Sequence, residues 1–272
     1  MAGTQPTPVA GICIIGMRRT GSNHLMNVLR NFRALEATGE LFNRDDVFGI
    51  GRMLPQLRET TGLPIPRLGD QLLKAYARGN PGGFLAAVEE AVRRKGKRAY
   101  CFKVFEDQLS REALETQVLS RPGMRHVLLV RRSLDAYVSF AKATSTDKWV
   151  GHDTTASPIE LEAEGFAAWL DEQRAWYGHW LARAKARGES PVVLTYEDDI
   201  DRPTYVVLWR FSRLAKRLGI PLPMPLKLRL RHRGLARQDR NRALSDRIAN
   251  WPEFAAGLER LGLSEAARGY PL

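Results

Sequence analysis

Cysteine is nearly absent from this chain: Cys13 and Cys101 are the two in 272 residues. Each sits inside a short apolar run, which predicts a reduced, buried thiol behaving as a small hydrophobe and excludes a disulfide framework. Two cysteines cannot build a structural zinc site unaided, and the five histidines show no metal-ligand spacing. Long apolar runs are missing as well, none approaching the roughly twenty residues of a membrane span. The opening MAGTQPTPVA has no basic segment followed by an apolar one, so the expectation is a cytoplasmic chain. No repeat or low-complexity segment is present. What the chain has in excess is positive charge, +12 overall with a pI near 10.1, which attracts anions without naming one. Nucleic acid, an acidic membrane face and a multiply charged small donor all qualify. Arginine outnumbers lysine, which suits recognition of planar or tetrahedral anions and equally follows from high-GC coding.

Four short apolar runs bounded by turn residues read as strands: VAGICIIG (9–16), RAYCFKVF (98–105), RHVLLV (125–130) and PVVLTY (191–196). Helical spacing fills the intervals. Asn23 to Phe32 carries Leu25, Met26, Leu29 and Phe32 on one face, Leu134 to Ala143 follows the third run, and Glu160 to Ala186 is a long amphipathic stretch with Trp169, Trp176 and Trp180. Strands buried on both faces and alternating with helices predict an α/β fold, a P-loop-like parallel sheet flanked by helices. The expected organisation is a single domain over 1–272. Within it, 54–97 is a helical insert or cap split by GNPGG at 79–83, and 222–250 is a basic loop region. The leucine and basic alternation at 226–231 also fits an edge strand.

The first strand runs into GICIIGMRRTGSNHL (11–25). A P-loop is written G-x-x-x-x-G-K-[ST]; here the second glycine, Gly21, is followed by Ser22 and Asn23, and the lysine is missing. In a doubly wound sheet the first strand-to-helix turn is the usual phosphate site. Gly21 permits close backbone approach, the hydroxyls of Thr20 and Ser22 and the first amides of the helix face an anion, and Arg18 and Arg19 precede them. Asn23 stands where a P-loop NTPase has its magnesium-binding hydroxyl, and LTYEDD (194–199) is a weak Walker-B candidate. Cations ahead of the second glycine and no metal ligand behind it fit a donor without a γ-phosphate. An ordinary strand-to-helix turn with two solvated arginines is the plain alternative.

The run Arg19-Thr20-Gly21-Ser22-Asn23-His24-Leu25 resembles the 5′-phosphosulfate loop of sulfotransferases that use 3′-phosphoadenosine-5′-phosphosulfate (PAPS). That family has a second motif, a later strand ending in arginine with a serine eight residues on, together holding the 3′-phosphate. VLLVRRSLDAYVSFAKA matches it with Arg131 and Ser139; Arg132 is the alternative arginine. Such a pair can converge on one phosphate at the ligand edge of the sheet. Within the family the chain is most similar to the bacterial branch that includes trehalose and nodulation-factor sulfotransferases. MRRTG (17–21), GELFN (39–43), SFAKATSTDKW (139–149), LTYEDDIDRP (194–203) and RQDRNRALSDRIANWPEF (237–254) carry that likeness, which leaves 54–97 unmatched.

The resemblance implies a sulfotransferase fold, PAPS as donor, adenosine 3′,5′-bisphosphate (PAP) as product, no metal, and a carbohydrate or glycolipid acceptor. Sulfuryl transfer to a hydroxyl needs a base for the proton, positive charge on the transferring oxygens and in-line placement. The histidine many relatives carry after a strand lysine is absent, because FKVFED has Phe105 after Lys103 and Val104. The bacterial branch uses a glutamate instead, matched by Glu40, with Glu106 as the rival base. Arg19, with or without Arg18, then stabilises the leaving 5′-phosphate, and Lys103 assists or is an ordinary strand-end lysine. Glu40, Phe42 and Asn43 are expected at the acceptor. Trp149 either stacks on a sugar ring or packs in the core, and His24 fits a helix face or an acceptor contact better than a metal ligand. Arg237 and Gln238 either close over the nucleotide or lie in a solvated loop. A homodimer is implied by the resemblance, and the basic late region is compatible with peripheral membrane contact. Two other readings stand beside this one. The first is a small-molecule kinase with an atypical P-loop. The second is a nucleic-acid-binding protein using 226–242, against which no recognised binding pattern is present and nucleic acid is not expected as a partner.

Overall fold

The computed structural model describes residues 9–147, 149, 151–226, 230–241 and 243–272. Its core is a five-stranded parallel sheet flanked by helices, with strand order β2-β3-β1-β4-β5. The strands are β1 (Ala10–Gly16), β2 (Leu35–Glu40), β3 (Ala99–Val104), β4 (Met124–Val130) and β5 (Val193–Thr195). In β1 and β3 nearly every residue is buried, the continuous apolar pattern of strands covered on both faces. β2, LEATGE, does not look like such a strand, and periodicity gave no sign of it. It is an edge strand in parallel register with β3. Its buried Glu36 is neutralised by Lys95 at 2.8 Å and Lys97 at 3.1 Å.

The helices are α1 (Ser22–Leu29), α2 (Leu54–Thr61), α3 (Gln71–Gly79), α4 (Pro81–Arg94), α5 (Arg111–Ala113), α6 (Ser133–Thr146), α7 (Ala163–Ala186), α8 (Thr204–Arg217), α9 (Trp251–Arg260) and α10 (Ser264–Arg268). The 54–97 segment is helical as expected, and GNPGG is a helix junction. Asn80 accepts the Gly83 amide through its side chain, and Pro81 occupies the first turn of α4, where its missing N–H costs nothing. The proposed edge strand at 226–231 lies partly outside the described residues, and Leu230 and Arg231 carry no regular structure. No helix among the described residues is long and apolar enough to cross a membrane.

Contacts divide the chain into two compact units. Among the described residues, the first comprises those within 9–15, 23–127 and 203–233, the second those within 16–22, 128–202 and 234–272. In the first, Phe42 packs edge-on against Phe84 and Phe102 with ring centroids 6.2 and 5.9 Å away, seating α4 beside β3. In the second, Leu134, Phe166, Trp169, Leu170, Phe254 and Leu258 form a core between α6, α7 and α9. Burial of such side chains contributes roughly 1.5–3 kcal/mol each.

Candidate active site

The loop 16–22 belongs to the second unit, and two aromatic side chains of α7 fix its start. The indole of Trp176 donates to the Gly16 carbonyl at 3.1 Å. The Tyr177 hydroxyl accepts the Met17 amide at 3.0 Å while donating to the Leu129 carbonyl at 2.7 Å. The buried Thr20 hydroxyl donates to the Met17 carbonyl at 2.8 Å, closing the turn on itself. Arg19 then sits in the left-handed region at φ 69°, a conformation that costs a non-glycine residue about 1–2 kcal/mol. Gly21 is also left-handed, at φ 83°. A Cβ there would lie 2.3 Å from Cδ2 of Tyr196. The close approach that glycine permits is therefore made by the Tyr196 ring, in addition to any ligand.

Arg19 is the hub of this unit. Its Nε donates to the Ser139 hydroxyl at 3.0 Å, and its two terminal nitrogens donate to the Trp149 carbonyl and to Oε1 of Gln238. All three partners are neutral, and among the described residues no carboxylate pairs with Arg19. Arg131 donates to the Arg19 carbonyl at 3.0 Å and lays its guanidinium over the Tyr196 ring, 4.4 Å from the centroid. Burial, with the Arg131 charge second, pulls the Arg19 guanidinium down from its ordinary value to about 10. Burial likewise lowers Arg131. Among the described residues the buried Nε of Arg131 and Nε2 of Gln238 have no hydrogen-bond partner. Unused donors beside two partly desolvated cations are the features of an anion site.

Gln238 is held there by charge. Its carbonyl accepts the Thr154 amide at 2.6 Å. The next residue, Asp239, accepts the nearly buried Lys142 ammonium of α6 at 2.6 Å and has the Arg247 guanidinium 3.5 Å away. Arg247 also pairs with Asp135. Arg237 turns elsewhere, gripping Asp201 through two nitrogens, while Gln238 meets Arg19. Arg132 is exposed, its amide donating to Glu197 at 3.1 Å; Arg131 is the one drawn into the Arg19 cluster. Trp149 contributes its carbonyl to Arg19. Its half-exposed indole lies edge-on to Phe140 at 6.1 Å and donates to Asp147 at 3.3 Å. Arg18 is half-buried and Ser22 buried at the ends of the loop.

The first unit holds a second cluster. Glu40 ends β2 opposite Lys103 of β3, just past a register shift between Ala37 and Glu40. Lys103, 2% exposed, places Nζ 2.9 Å from Oε1 of Glu40 and 2.6 Å from Oδ1 of Asn23, and 5.0 Å from the centroid of the Phe105 ring. Oε2 of Glu40 accepts Asn43 at 2.5 Å and Gln108 at 2.7 Å. A carboxylate has about four acceptor positions; three are in use, and the one left is on Oε1. Glu106 lies in the turn after β3. Phe42, expected at the acceptor, is wholly buried in the aromatic core. Strand alternation ends with β2 at Glu40, and Leu41 and Phe42 are both buried. Gln108, Tyr196, Trp176 and Tyr177 were not among the residues expected here. WYGHW in α7 signals only an aromatic helix face, and a lone Gln or Tyr after a strand carries no signal at all. Among the described residues no group of three or more His, Cys, Asp or Glu side chains is placed to hold a metal ion.

No family model matches the chain, and no curated protein does. Among solved structures, the sulfotransferase domain of the Synechococcus PCC 7002 olefin synthase is similar at TM-score 0.40 and 15% identity, covering 82% of this chain and 78% of that one, a likeness too distant to assign an activity.

Proposed function

We propose that this protein is a sulfotransferase that moves the sulfuryl group of PAPS to a hydroxyl of a carbohydrate or glycolipid acceptor. The observation that carries the reading is the Arg19–Arg131–Ser139 cluster. The three residues that the motifs single out, far apart in sequence, meet in one unit with unused donors and no carboxylate on Arg19. Support also comes from the donor set: the unpartnered Nε of Arg131 and Nε2 of Gln238 suit the oxygens of a phosphate or phosphosulfate. In this reading Arg131 and Ser139 hold the 3′-phosphate, while Arg19 and the first amides of α1 hold the 5′-phosphosulfate.

The acceptor oxygen attacks sulfur, the bond from sulfur to the bridging phosphate oxygen breaks, and PAP leaves with that electron pair on its 5′-phosphate. The hydroxyl proton goes to Oε1 of Glu40, the oxygen with acceptor capacity left. Asn43 and Gln108 fix the carboxylate plane through Oε2, and Lys103 offers its ammonium to developing negative charge. The test is calorimetry with PAP in the presence of EDTA on wild type, Arg131→Ala and Ser139→Ala. Metal-independent binding weakened in both variants supports the assignment. Binding that requires magnesium and ATP favours the kinase reading, and unaltered PAP affinity in both variants removes the 3′-phosphate site.

A further inference from the structure

The 14 residues of α8, TYVVLWRFSRLAKR, contain no acidic side chain. One face is core: Val207, Leu208, Phe211, Leu214 and Ala215 are buried. The opposite face exposes Tyr205 (37%) and Trp209 (46%), then Arg213, Lys216 and Arg217. The spacing 205, 209, 213, 216/217 puts all five on one stripe. Two large aromatics left in solvent on a helix whose remaining exposed groups are cationic call for an explanation, because such residues are ordinarily turned inward or spaced apart. Arg213 lies over the Trp209 ring, 4.8 Å from its centroid. Among the described residues Arg213, Lys216 and Arg217 make no ion pair. Carboxylates just upstream are engaged elsewhere: Glu197 with the Arg132 amide, Asp198 with Arg202, Asp201 with Arg237.

We propose that this face of α8 docks the protein on an anionic lipid bilayer. Charge complementarity selects the occupant. A two-fold related copy of the chain would set Arg213, Lys216 and Arg217 against like charges. A bilayer presents phosphates to all three and an interfacial layer in which Trp and Tyr rings are favoured. The sequence pointed to membrane contact through 222–250; the geometry points to the helix that precedes that region. This proposal stands independently of the sulfuryl-transfer reading.

The experiment is co-sedimentation of the full chain with phosphatidylcholine vesicles, with and without phosphatidylglycerol, across a salt series. Wild type is expected to partition to the anionic vesicles, less so as salt rises. At about fivefold per basic residue, Arg213→Gln/Lys216→Gln/Arg217→Gln should weaken partitioning about a hundredfold. A control with the same change in net charge, Arg67→Gln/Arg78→Gln/Lys185→Gln, should retain most of it. Trp209→Phe should remove a blue-shifted component from the vesicle-bound fluorescence spectrum. Circular dichroism of the exposed-site variants should be unchanged. Equal losses in the two triple variants overturn the proposal. So does wild-type binding to a duplex oligonucleotide but not to vesicles, or a concentration-dependent dimer abolished by Trp209→Ala with no vesicle binding.

Discussion

Replacing Arg19 by methionine separates the cost of the cation from its use. The guanidinium is pulled from its ordinary value to about 10 by burial and by Arg131. At 1.36 kcal/mol per pKa unit that is about 3 kcal/mol against the charged form. Proton counting gives the sign. Above about pH 10, up to the ordinary arginine value, the unfolded chain binds more protons than the native one, so stability rises with pH there, and below about pH 10 the full cost is present. At neutral pH Arg19→Met relieves that cost and gives up three hydrogen bonds to neutral partners, each contributing about 1 kcal/mol. The two effects offset, so urea denaturation should place the variant within about 1 kcal/mol of wild type. Affinity for PAP should behave differently. Loss of a charge-assisted contact costs about 2–3 kcal/mol, roughly 30- to 150-fold in Kd by calorimetry. A variant destabilised by 3 kcal/mol or more that binds PAP normally would refute the reasoning, for Arg19 would then be a structural clamp.

Glu40→Gln removes the carboxylate without touching Arg19, Arg131 or Ser139, so PAP binding should hold while turnover falls about 10²- to 10⁴-fold; near-normal turnover moves the base to Glu106. Gly21→Ala brings a methyl to 2.3 Å from the Tyr196 ring at φ 83°. A loss of about 2 kcal/mol or more in thermal unfolding is expected, partly recovered in Gly21→Ala/Tyr196→Ala; strict additivity of the two changes would show that the ring is not the obstacle. Asp239→Ala leaves Lys142, 3% exposed, without its carboxylate, which should cost about 3–5 kcal/mol. Asp239→Asn should recover part of the stability, and equal stability of all three proteins would rule out the anchor.

The parallel strands were legible because burial on both faces writes an uninterrupted apolar run, and the helices because their buried faces repeat at helical spacing. β2 was not legible from periodicity: LEATGE owes its place to an edge position and to Lys95 and Lys97 neutralising Glu36, a tertiary compensation with no local pattern. Arg131 and Ser139 could be named because the family resemblance supplies a second motif with a local spacing, a strand-end arginine and a serine eight residues on. Gln238 depends on Asp239, Lys142 and Arg247 meeting across about a hundred residues, and nothing local announces that. The burial of Phe42 was equally hidden, since adjacency to Glu40 in sequence says nothing about which way the next two side chains turn.

Lys103 weighs against the kinase reading on physical grounds. In a P-loop kinase, residue 23 would offer a hydroxyl to magnesium; here it is an amide whose oxygen accepts an ammonium at 2.6 Å. That ammonium is itself nearly buried, with Glu40 2.9 Å away on the other side. A divalent ion at residue 23 would have to share Asn23 with this cation at close range, where repulsion between buried like charges is severe. A sulfuryl donor makes no such demand, because its charge can be met by fixed cations such as Arg19 and Arg131. Arg19 and Arg131 carry part of their desolvation cost before any ligand arrives, so an anion that fits recovers free energy that water cannot supply. The left-handed Arg19 follows a loop start held by Trp176 at Gly16 and by Tyr177 at Met17, so the backbone strain at Arg19 is borne by fixed neighbours.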